Sequence, residues 1–147
     1  MNRHRKNRRI APSQKQPEDS RSQPPSKRIS TPVTLSYQYV EPGGQFCLSH
    51  CEMNDVKETA DCLRQLTTKS WQEVLSTGGK GGRKQGLGFT PYQDSALRHV
   101  QRPARLDPTI RIAAVRATQK MRIFGAYLDH VFYLIWFDPG HKIVPAD

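Results

Sequence analysis

The chain has 147 residues, a formal charge of +10, 35% hydrophobic residues and three cysteines. That length supports one domain around one core and excludes a two-domain organisation. No apolar run approaches the ~20 residues that a membrane-spanning helix needs, and Met1-Asn2-Arg3-His4-Arg5 leads into no apolar stretch of the kind a secretory signal has.

Charge is spread unevenly. Residues 1–30 carry nine Lys/Arg against two acids, a balance of +7, whereas residues 31–147 carry fourteen against eleven, a balance of +3. Residues 1–32 hold five prolines and few large apolar side chains. Such a composition buries too little surface to offset chain entropy, so a disordered basic tail is expected, with a single domain over residues 33–147. A basic tail suits a polyanionic partner such as nucleic acid, and equally a solvated arm. Few cysteines and no signal fit a reducing, cytoplasmic setting.

Order is expected to begin near Val33, where VTLSYQYV is β-rich. Gly43-Gly44 breaks it before FCLSHC, a second short strand or extended segment. Val56, Ala60, Leu63 and Thr67 then recur at helical spacing, with Leu66 beside them, and predict a helix from Asn54 or Asp55 to about Thr67. Asn54 is its expected N-cap. Ser70 and Glu73 have capping-box spacing ahead of Trp71, Val74 and Leu75, which predicts a second short helix and hence a helical hairpin. TGGKGGRKQGLG has six glycines in twelve residues and reads as a basic loop carrying Lys80, Arg83 and Lys84. It lacks the Ser/Thr and the spacing of a nucleotide-binding P-loop. In residues 90–109 only SALRHV is long enough for a helical turn or two.

IRIAAVR, MRIFGAYL and VFYLIWF follow, joined by Ala117–Lys120 and by Asp129-His130. Short loops between β-rich runs predict an antiparallel meander. The last run is apolar on both alternating sets, as a strand covered on both faces should be. Pairing Leu128 with Val131 places Arg122 across from Phe137. The expected fold is α+β, a small antiparallel meander packed on a two-helix hairpin.

The meander brings Arg116, Lys120, Arg122, Asp138, His141 and Lys142 to one end of the sheet. The basic residues can hold a phosphate and stabilise charge developing on its oxygens, and the imidazole can exchange a proton near neutral pH. RNA carries its own nucleophile, the 2′-hydroxyl, so such a site needs neither metal nor cofactor. The competing explanation is a structural Arg122–Asp138 ion pair, with His141 in an Asp-Pro-Gly turn. Lys80, Arg83, Lys84 and Lys142 are candidate backbone-binding residues. Cys47, His50, Cys51 and Cys62 offer up to four zinc ligands in a C-x2-H-C-x10-C spacing that is no standard knuckle, and inward-facing cysteines explain the pattern as well. The aromatic residues of the meander read as core rather than as stacking platforms, and Tyr37, Tyr39 and Tyr92 are undetermined.

A strand, two helices and a closing meander in a small basic chain resemble the RelE/ParE-like toxin superfamily, most of all over residues 111–144, where Arg116 and MRIFGAYLDHVFYLIWFDPGHKIV look like that family's pattern. The resemblance implies a ribosome-dependent mRNA endonuclease or a gyrase poison, neutralised by an antitoxin protein. It implies phosphate-contacting roles for Arg116 and Arg122, and basic or acid-base roles for His141 and Lys142. Pro145 stands near where many members carry a tyrosine. The resulting expectation is an RNA endonuclease with His141, Arg122, Arg116 and Lys120 as catalytic residues and RNA, ribosome-bound mRNA included, as partner. The alternative is a non-catalytic module that binds nucleic acid or protein.

Overall fold

A computed structural model describes residues 31–76 and 87–145. The basic tail and the candidate loop residues Lys80, Arg83 and Lys84 lie outside them.

The described elements are β1 (Thr34–Ser36), α1 (Met53–Thr67), α2 (Trp71–Ser76), β2 (Thr90–Tyr92), β3 (Ile112–Arg116), β4 (Arg122–Leu128) and β5 (Val131–Asp138), with 3-10 turns at Leu48–His50 and Asp94–Leu97. The strands form one sheet in the order β1-β5-β4-β3-β2. β3 to β5 are antiparallel neighbours, as the short loops predict, and β2 pairs antiparallel with β3, whereas β1 runs parallel to β5 with Thr34 beside Val131. The sheet is therefore mixed. FCLSHC forms no strand but a 3-10 turn, and VTLSYQYV yields only three strand residues before the chain turns at Tyr37–Val40. Unexpected from sequence is β2, which contains Pro91. A proline has no N–H to donate, and an edge strand tolerates that loss.

Helix α1 begins at Met53, one or two residues earlier than predicted. Glu52 rather than Asn54 is its N-cap, in a capping box with Asp55, whose Oδ2 accepts from Glu52 N at 3.1 Å. The capping box of α2 is as expected: Ser70 N donates to Glu73 Oε2 at 3.2 Å, and Glu73 N donates to Ser70 Oγ at 3.3 Å.

Both sheet faces are covered. Cys62, Leu63 and Leu66 of α1 and Val74 of α2 pack on Ala113, Val115, Ile123, Phe132, Leu134 and Phe137. On the other face Leu97, Leu106 and Ile143 cover Ile112, Ala114, Phe124, Ala126 and Ile135. β5 lies between β1 and β4, which explains why its sequence is apolar throughout.

One irregularity sets the site. Phe124 pairs with Trp136 but Gly125 pairs with Leu134, so Ile135 is an extra residue on β5. The bulge turns β5 over: Phe132, Leu134 and then Phe137 face the helices, while Tyr133, Ile135 and Trp136 face away. Gly125 permits the close approach here. A Cβ on it would lie 2.6 Å from the Phe132 ring and 2.7 Å from the Tyr133 carbonyl oxygen.

Candidate functional site at the end of the sheet

Because of the bulge, Arg122 lies opposite Asp138, not Phe137 as a regular hairpin requires. Arg116 pairs with Arg122 on the other side. The last cross-strand row thus reads Arg116, Arg122, Asp138, and alternation from Ala114 and Phe124 puts both arginines on the face away from the helices. Each is locally anchored. Arg116 N donates to Leu87 O at 2.7 Å, and Cys62 Sγ on α1 donates to the Arg116 carbonyl at 3.8 Å. Gly88, at φ +55, crosses the Arg116 side chain so closely that a Cβ there would stand 3.5 Å from Nε. Arg122 Nη1 donates to the carbonyls of Thr118 at 2.8 Å and Met121 at 3.1 Å.

Like charges directly opposite each other on neighbouring strands repel. Burial, followed by the charge of Arg116, lowers the pKa of the Arg122 guanidinium, while Tyr92 and Asp138 oppose that shift. Asp138 does not neutralise it directly. The two side chains form no ion pair within 4.0 Å, because Asp138 Oδ2 instead accepts from Ile143 N at 2.8 Å and closes the turn after β5. The ion-pair explanation of the arginine therefore fails.

Tyr92 of β2 pairs with Ile112, four residues from Arg116 along β3, and faces the same side of the sheet as the arginines. Its ring stacks on Phe124 with centroids 5.7 Å apart. Burial raises the phenol's pKa, and the nearby Arg122 charge pulls it back. Sequence reasoning left Tyr92 unassigned, and only its alternation with Thr90 in a short run could have placed it on this face.

The remaining expected residues are close along the backbone but divided in space. Lys120 and Lys142 line a cleft of about 530 Å3 together with His50, Phe46 and Asp138. His141 sits in the Asp-Pro-Gly-His turn at φ 54, a left-handed conformation uncommon for a side chain of its size, with Nδ1 buried and without a hydrogen-bond partner.

Comparisons with protein-family models, curated proteins and solved structures give no match.

The cysteines do not converge. Cys62 is in the helix-facing core, where burial pushes its thiol up to about 12. Cys51 is raised by burial, whereas hydrogen bonds from Ser49 lower Cys47. Among the described residues no group of three or more His, Cys, Asp or Glu could hold a metal ion. Among them, too, no helix is long and apolar enough to cross a membrane.

Proposed function

We propose that the chain is a RelE-like toxin, an endoribonuclease that binds an RNA phosphodiester at this end of the sheet. The observation that carries the reading is the Arg116–Arg122 pair, two guanidiniums opposed across β3 and β4 with no direct neutralisation of Arg122 by Asp138. A phosphate between them relieves their repulsion and accepts hydrogen bonds from both.

In the proposed reaction the 2′-hydroxyl oxygen attacks the adjacent phosphorus and the bond to the 5′-oxygen breaks. The products are a 2′,3′-cyclic phosphate and a 5′-hydroxyl. Arg116, Arg122 and Lys120 stabilise charge on the phosphoryl oxygens. His141 takes the proton of the 2′-hydroxyl. Tyr92, kept protonated by burial, gives a proton to the departing 5′-oxygen, a phenol supplied from β2 rather than from beyond the last strand. Lys142 contacts the RNA backbone, with ribosome-bound mRNA as substrate and an antitoxin protein as the neutralising partner.

Incubation with mRNA on translating ribosomes tests the reaction. The expected products end in 2′,3′-cyclic phosphates, and a 2′-deoxy nucleotide at the scissile position blocks the cut. Cleavage of the deoxy substrate, or products ending in a 3′-hydroxyl, would contradict the mechanism.

A further inference from the structure

The cleft that Lys120 and Lys142 line also holds a buried carboxylate that cleavage leaves unused. It encloses about 530 Å3 between residues 45–55 and the 138–142 turn, within the range of small-ligand sites. Glu52, Asp55 and Asp138 all border it. The first two carboxylates are occupied by the capping box of α1. Asp138 is different. It is 1% exposed, its Oδ2 is taken by Ile143 N, and its Oδ1 is buried with no partner. A buried acceptor left unmatched is destabilising, so a donor that reaches it is held firmly. Phe46 and Pro139 give the cleft apolar walls, and the exposed Lys120 and Lys142 give it cationic ones. A ligand that satisfies all of these has flat apolar faces, an N–H at its edge and an anionic group. A nucleotide has all three.

We propose that this cleft is a base-reading pocket for an RNA nucleotide whose base carries an exocyclic amino group at the pairing edge, that is adenine, cytosine or guanine and not uracil. The amino N–H donates to Asp138 Oδ1, the base lies against Phe46 and Pro139, and the phosphate contacts Lys120 and Lys142. The proposal rests on RNA being the ligand of the sheet end, and it adds which bases are chosen there. Uracil offers only its N3–H, flanked by two carbonyls whose lone pairs oppose those of the carboxylate. Asp138→Asn inverts the preference. Ile143 N–H keeps the amide oxygen as its acceptor, so the amide NH2 takes the free position and now donates.

The test is an NMR titration of the full chain with cytidine and uridine 5′-monophosphates, which have no phosphodiester to cleave, read at the amides of Gly140 and Lys142. Cytidylate binds at least roughly tenfold more tightly than uridylate, Asp138→Asn reverses the order, and a Lys120→Ala/Lys142→Ala variant weakens both without changing their ratio. Equal binding of the two nucleotides by the wild type, or shifts confined to the Arg116–Arg122 row, overturns the proposal. Should Asp138→Asn fail to fold, the wild-type ratio and the lysine variant decide. A cytidylate preference in a protein that cuts no RNA leaves the pocket standing and removes the cleavage reading alone.

Discussion

Arg122 on β4 stands opposite Asp138 on β5, one residue further along than the Asp129-His130 turn alone would place it. Ile135 accounts for the difference, and the shift decides which groups share the end of the sheet. In a regular ladder Phe137 would face Arg122 and Asp138 would lie beyond the pairing. With the bulge, the buried carboxylate is in the arginine row and its second oxygen is held by the turn that carries His141.

The close approach at the bulge is testable through Gly125. Any Cβ there meets both the Phe132 ring and a backbone carbonyl, which cannot rotate away. Gly125→Ala should destabilise the protein by about 1–3 kcal/mol, in the range of core overpacking. Trimming the ring as well, in Gly125→Ala/Phe132→Leu, should restore only part of the loss, because the Tyr133 carbonyl is still in the way. Chemical denaturation of both variants checks this, and an unperturbed midpoint for Gly125→Ala contradicts the packing described.

The arginine row predicts an anion effect on stability. Inorganic phosphate should raise the melting temperature of the wild type above that in chloride of equal ionic strength, since an anion bound only by the folded state stabilises it. The difference should vanish in Arg116→Ala/Arg122→Ala. Thermal scans in the two salts measure it, and an equal phosphate effect in the variant would place the anion elsewhere.

Alkaline pH should weaken the fold through Cys62. Its thiol titrates near 9 when unfolded and at about 12 in the core, so over that interval the unfolded chain holds fewer protons than the folded one. The stability from keeping the thiol neutral is fully present below pH 9 and is lost as pH rises toward 12. The slope is at most about 1.4 kcal/mol per pH unit. Cys62→Ala, although less stable at neutral pH, should show a shallower decline above pH 9. Denaturation midpoints across that range compare the two.

Much of this arrangement is legible in the sequence, for identifiable reasons. The two helices follow from the helical spacing between Val56 and Thr67 and from the Ser70/Glu73 box because both signals are local, but the buried face of α1 is Thr59, Cys62, Leu63 and Leu66, and Ala60 of the expected stripe is exposed. The meander follows from its two short loops. Pairing register beyond the bulge is not legible, since Leu134 and Ile135 are both apolar and nothing in VFYLIWF marks one as extra. β2 is hidden by Pro91, and the parallel placement of β1 depends on contacts across nearly a hundred residues. Among the expected site residues, Arg116 and Arg122 share one cross-strand row, and Lys120 and Lys142 line one cleft. Their division between an arginine face and a cleft, and the arrival of Tyr92, depend on strand facing that only the folded register supplies.

The alpha-helical cover should also depend on the α2 cap. Ser70 is buried and its hydroxyl accepts from Glu73 N, so Ser70→Ala should cost about 1 kcal/mol. Urea unfolding reads it, and no loss would mean that packing of Val74 and Trp71 alone holds the helix.

The central claim is tested most directly by growth after tightly controlled expression of the wild type beside an Arg122→Ala/His141→Ala variant whose folding is verified by circular dichroism, with RNA sampled from both cultures. The account predicts growth arrest and fragmented mRNA with the wild type, and normal growth and intact RNA with the variant. Normal growth and intact RNA in both cultures, or arrest with cleavage in both, would contradict it.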